Sequence, residues 1–149
     1  MAGMEFRTDL TQVPSTIPAL VFGHGITALG VIRILHDAGI PAYVVGADTG
    51  VVTESRWYEA APRSQLGVAP EDDLGAYLEG LPIPRAVLIP CVDSWTLKIA
   101  ALSGPITDRF PTVLPARAVL ENLMDKIRLA ELANALLGVL RPRTDRAPG

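Results

Sequence analysis

Four consecutive apolar residues, Ala19-Leu20-Val21-Phe22, end at Gly23, and a few positions later the apolar residues adopt a three-and-four spacing. An unbroken run of this length marks a strand covered on both faces, whereas the spacing that follows belongs to a helix. Over 27–38, Ala28, Leu29, Val31, Ile32 and Leu35 make one apolar side, and Arg33, His36 and Asp37 share the opposite one. Gly39 falls where a left-handed cap is expected, and Pro41 prevents continuation. Ala42-Tyr43-Val44-Val45 reads as a second strand running into Gly46-Ala47-Asp48. Strand, turn, helix and strand are complete within about 30 residues, the length of one βαβ unit.

Beyond residue 50 the pattern is less regular. Residues 54–60 read as a short helix around Trp57 and Tyr58, and 64–69 as a short third strand. A helix over 72–80 would bury Leu74, Tyr77 and Leu78 and stop at Gly80. The run 86–90 predicts a strand with Pro90 at its exit. Asp93 or Ser94 is then placed to cap a helix whose Trp95, Ile99 and Leu102 recur on one side, with Gly104-Pro105 as its end. Residues 111–114 suit a fifth strand, and 117–137 are helical with a break near Asp125. Strands alternating with helices predict an α/β fold, a Rossmann-like three-layer αβα sandwich on a short, mainly parallel sheet. The chain divides into a leader (1–18), a body (19–124), and a helix with tail (125–149).

Composition narrows the function classes. A chain of 149 residues suits one domain and can bury roughly 70% of its unfolded surface. Its 49% hydrophobic and 19% charged residues describe an ordinary globular protein. The formal charge of −3, with an Arg141/Arg143/Arg146 cluster in the tail, offers no basic stripe for nucleic acid. A single cysteine, Cys91, excludes an internal disulfide and fits a reducing, cytoplasmic setting. The leader has no apolar core of a signal peptide, and no apolar run approaches the ~20 residues of a membrane span.

Candidate chemistry collects at the expected strand ends, where open α/β sheets bind ligands. Gly23-His24-Gly25-Ile26-Thr27-Ala28 fits G-x-G-x-x-[G/A] between a strand and a helix, a turn that leaves amide groups open to an anion. Asp48, a further substrate-binding candidate, lies roughly 20 residues beyond Ala28, where a dinucleotide site places its ribose acceptor. This supports an NAD(P)-binding module; the alternative is a tight turn with no nucleotide role. His24 suits either a substrate carboxylate or an exposed turn position. Asp93 and Ser94 suit either a ligand contact or a helix cap. Cys91, with no base nearby in sequence, reads as a small buried residue, and His36 as a solvated partner of its charged neighbours. Metal-ligand spacing, a phosphate loop of the G-x-x-x-x-G-K-[ST] type and a G-x-S-x-G elbow are all lacking.

Three segments together resemble the N-terminal, pre-ATP-grasp domain of ATP-grasp ligases, the superfamily of biotin carboxylase, carbamoyl-phosphate synthetase and carboxylate–amine ligases. They are the glycine turn with its helix at 19–38, Val87-Leu88-Ile89-Pro90-x-x-Asp93 followed by a helix, and Asp125-Lys126 leading through Gly138-Val139 to Pro142-x-Thr144. The last segment departs from the family's Gly-Val-Pro-x-Pro-x-Thr by carrying Leu140 at the first proline. The resemblance implies that Lys126 reaches nucleotide phosphates, and that Gly23, His24, Gly25, Ile26, Thr27, Asp93 and Ser94 face a small carboxylate or amine. ATP and Mg²⁺ would act in the complete enzyme, which makes an acyl phosphate and lets a nucleophile displace it. None is expected to bind residues 1–149 tightly, because the ATP-grasp core would come from elsewhere, in cis or in trans. Without that core a homodimer is a further expectation, as is a regulatory domain that acts with a partner.

Overall fold

The computed structural model describes residues 17–46 and 48–140. The leader up to residue 16 and the Pro142-x-Thr144 segment with its arginines lie outside the described residues. The chain packs as two units, Met1–Leu114 and Pro115–Gly149.

In the first unit the elements run β1 (Ala19–Phe22), α1 (Ile26–Asp37), β2 (Ala42–Val45), α2 (Leu74–Glu79), β3 (Val87–Pro90), α3 (Asp93–Ala100) and α4 (Pro105–Arg109). The three strands form one parallel sheet in the order β2-β1-β3, with Ala19 opposite both Ala42 and Val87. The central strand β1 is the unbroken apolar run, and all four of its residues are buried. Successive side chains of a strand point to opposite faces, and β1 divides its residues accordingly. Leu20 and Phe22 join Val45, Leu78, Leu88, Trp95 and Ile99 in one cluster. Ala19 and Val21 join Val44, Val52 and the Ala28 and Ile32 side of α1 in another.

Local chemistry explains the helix ends. Helix α1 closes with the double hydrogen bond of a Schellman motif, Gly39 N to His36 O at 2.9 Å and Ile40 N to Leu35 O at 2.9 Å, with Gly39 at φ +69°. Asp73 caps α2 by accepting from Ala76 N at 3.0 Å. Helix α3 starts one residue earlier than its side chains suggested. Val92 is its N-cap, so neither Asp93 nor Ser94 caps it, and Asp93 instead places a negative charge in the first turn. Gly104-Pro105 opens a helix as well as following one: Gly104 is the N-cap of α4 and Pro105 its first residue.

Three sequence expectations fail for identifiable reasons. Residues 54–60 are not a helix but continue a series of separate turns, among them Ser55 N to Val52 O at 3.2 Å and Tyr58 N to Ser55 O at 3.0 Å. The chain then runs alongside β2, with Val44 N bonding Glu59 O and Ala61 N bonding Val44 O, so that Ala60 makes a parallel bridge to Val44. Residues 64–69 are not a strand, because Ser64 turns the chain: Oγ accepts from Leu66 N at 3.3 Å, and its carbonyl accepts from Gly67 N at 3.1 Å. Residues 111–114 flank β3 without becoming a strand. Ala86 N and Leu88 N bond Arg109 O and Pro111 O in parallel fashion. In such a ladder residue 111 would return a bond from its own N–H, and proline has none.

The second unit holds α5 (Arg117–Met124) and α6 (Lys126–Leu140). The break between them is Asp125, extended at φ −80° and ψ 107°. It ends α5 and caps α6, its Oδ1 accepting from Ile127 N at 2.9 Å and Arg128 N at 3.2 Å. Helix α6 does not stop at Gly138 but continues to Leu140. A helical glycine costs only about 1 kcal/mol, which neighbouring leucines can outweigh. Among the described residues no helix is long and apolar enough to cross a membrane.

Candidate functional site

The carboxyl ends of the parallel strands gather most of the residues that the sequence singles out. At the end of β1, Gly23 is buried with φ +147°, a backbone conformation that other residues rarely adopt. A Cβ there would stand 3.1 Å from Cys91 Cβ and 3.8 Å from Val92 Cγ1. Gly23 therefore lets the β1 turn close against the exit of β3. Cys91 N completes the junction by bonding Phe22 O at 2.9 Å. Burial pushes the Cys91 thiol up, so it stays protonated near neutral pH and serves as packing.

After Gly23 the turn is open. His24 is exposed, and its carbonyl lies in close approach to Gly50 of the loop that follows β2. Gly25 is the N-cap of α1, makes no side-chain cap, and has nothing within 4 Å of where a Cβ would be. Ile26 and Thr27, the first two positions of α1, are exposed, Ile26 by 79%. Asp93 and Ser94 are the exposed first two positions of α3. The structure thus brings the turns after β1 and β3 together and leaves the starts of α1 and α3 uncovered. This junction flanks the central strand, from which β2 lies on one side and β3 on the other. Reversals of strand order of this kind are where open α/β sheets form their binding crevice.

Asp48 belongs to a different concavity. It lines a cavity of 470 Å³ at the end of β2, together with Gly46, Tyr58, Arg63, Glu71 and Tyr77. Apart from Asp48, none of these was singled out in the sequence as a site residue, because they come from four separate stretches of chain. The one local signal is Gly46 itself, at φ +71°. A Cβ on Gly46 would meet Glu71 Oε1 at 2.8 Å and Trp95 Cζ2 at 3.1 Å, so its absence lets the Glu71 carboxylate lie against the strand end. Lys98 Nζ donates to the Glu71 carbonyl at 2.6 Å while standing 5.0 Å over the Trp95 ring, which ties the Glu71 loop to α3. Tyr77 is buried and donates its hydroxyl to Pro62 O at 3.3 Å. Burial, and after it the charge of Glu71, push that hydroxyl up to about 12.

His36 lies outside both concavities, exposed and 3.7 Å from the Asp37 carboxylate. Lys126 belongs to the second unit, exposed at the first position of α6. Asp125 occupies the amide groups of Ile127 and Arg128 behind it, so any anion would meet the lysine side chain rather than those two helix amides. Among the described residues no group of three His, Cys, Asp or Glu is placed to hold a metal ion.

The fold and these sites define an α/β protein built on a small parallel sheet, with the starts of α1 and α3 exposed at its carboxyl edge. No protein-family model, curated protein or solved structure matches the chain.

Proposed function

We propose that these residues form the N-terminal, substrate-side domain of a cytoplasmic ATP-grasp carboxylate–amine ligase, with the Rossmann-like three-layer arrangement of that class. The domain holds a small carboxylate or amine at the crevice between the turns after β1 and β3, and a separate ATP-grasp core, in cis or in trans, binds Mg-ATP. The observation that carries this reading is the break at Asp125. It isolates Lys126 as an exposed cation at the first position of a helix, where its charge opposes the positive helix end at a cost of about 0.3–1 kcal/mol. A phosphate ligand would supply the opposite charge that this position favours. The exposure of the first positions of both α1 and α3 supports putting the substrate there.

In this mechanism the chain's own residues bind and orient. Amide groups at the start of α1 and the hydroxyls of Thr27 and Ser94 hold the carboxylate, and Lys126 offsets charge on the nucleotide phosphates. Joined or mixed with an ATP-grasp core encoded in the same or a neighbouring reading frame, the chain is expected to release ADP only when a small carboxylate is added. Lys126→Ala should raise the KM for ATP roughly tenfold, as loss of one charge-assisted contact predicts. Saturable NADH binding by the chain, abolished by Asp48→Ala, would instead assign it as a dinucleotide-binding module.

A further inference from the structure

The cavity at the end of β2 carries charges of both signs, and no ion pair or side-chain hydrogen bond to another described residue neutralises them. Asp48, Arg63 and Glu71 all line it, all are exposed, and none forms a salt bridge among the described residues. Opposite charges left apart on one concave wall are the complement of a ligand that itself carries both. The remaining wall is apolar and aromatic: Val44 and Val45 are buried below it, and Tyr58 and Tyr77 contribute rings. At 470 Å³ the space lies within the roughly 300–1,000 Å³ of clefts that hold small molecules.

We infer that this cavity is a binding site for a small zwitterion of the α-amino-acid type, its ammonium group toward Asp48 and Glu71 and its carboxylate toward Arg63. The two acidic groups come from separate stretches of chain: Asp48 belongs to the turn after β2, and Glu71 is held by the Lys98 tether and the Gly46 approach. Arg63 supplies the planar donor fork that matches a carboxylate. Tyr77 is not a charge partner, because its hydroxyl stays protonated and is committed to Pro62 O. The site is distinct from the β1–β3 crevice and does not depend on the ligase reading.

The test is calorimetric titration of the whole chain with alanine, propylamine and propionate. Alanine is expected to bind at least about tenfold more tightly than either single-charge analogue, since each analogue forfeits one charged contact. Arg63→Ala should reduce alanine affinity by roughly tenfold and leave propylamine unaffected. Asp48→Asn combined with Glu71→Gln should weaken alanine and propylamine and spare propionate. These positions are exposed, and circular dichroism with a thermal melt checks that each variant is folded; Arg63→Lys, which keeps the charge, should recover part of the alanine affinity. Equal binding of all three compounds, no saturation by alanine at roughly tens of millimolar, or alanine binding indifferent to both variants would overturn the assignment. None of those outcomes bears on ADP release, so the ligase reading stands or falls separately.

Discussion

Arg109→Ala is expected to lower the unfolding free energy by about 3 kcal/mol, an effect out of proportion to its place at the end of a five-residue helix. Its guanidinium is the clamp for the turn between α2 and β3. Nη1 donates to Glu79 O at 3.1 Å, Nη2 to Leu81 O at 2.6 Å and also to Ile83 O, and Nε to Ile83 O at 3.1 Å and Pro84 O at 3.3 Å. Glu79 and Leu81 lie at the carboxyl end of α2, where carbonyls lack helical partners and a positive charge is favoured. Each charge-assisted bond is worth about 1.5–3 kcal/mol in isolation, and water recovers part of the loss at the exposed carbonyls. Truncation leaves Leu81 and Ile83 carbonyls unpaired beside buried side chains. Lysine cannot replace the fork, because its single ammonium reaches fewer carbonyls at once. Arg109→Lys should therefore recover less than half of the loss. Urea denaturation checks this through a lower midpoint at unchanged slope; a loss below about 0.5 kcal/mol, the range of ordinary surface changes, would contradict it.

Phe22→Ala should be costlier, at about 4 kcal/mol. Phe22 is fully buried at the end of the central strand, and its ring centre lies 5.2 Å from that of Trp95 at a 52° tilt. Removal forfeits the transfer of a large apolar group, the ring–ring contact and the packing of every neighbour that cannot collapse into the void. The sheet cannot close the gap by moving, because β1 is hydrogen-bonded on both sides. Small domains have only about 5–15 kcal/mol in total, so the variant should melt near the lower edge of measurable stability. Phe22→Leu should retain most of the packing and is the control for a local change. Thermal or urea unfolding measures both; equal stability of the alanine variant and the parent would mean that this cluster is not the core.

The βαβ unit was legible because each of its elements carries its own signal. An unbroken apolar run has to be buried on both faces, and the Gly39-Ile40-Pro41 sequence can end a helix in few other ways. The break at Asp125 was legible for a similar reason, since a short polar side chain between two helical stretches caps the second. Edge segments were not. Residues 59–61 and 109–111 do lie beside β2 and β3, but each contributes so few ladder bonds that no strand pattern is written in the side chains. Ser64 and Pro111 decide those regions through backbone chemistry that periodicity does not register. The site shows the same division. Gly23 through Thr27 is one contiguous motif, whereas Asp48, Arg63 and Glu71 are assembled by folding, and nothing in their spacing announces a common cavity.

If a ligand is held at the carboxyl edge of the sheet, amide chemical-shift mapping of the whole chain against a small carboxylate such as acetate reveals it. Concentration-dependent shifts are expected at Gly23, Gly25, Ile26 and Thr27 together with Val92, Asp93 and Ser94, on the two turns that meet at the ends of β1 and β3. Shifts confined to the opposite edge of the sheet, around Ile17 and Ile40, or an unchanged spectrum at saturating carboxylate, would contradict binding there.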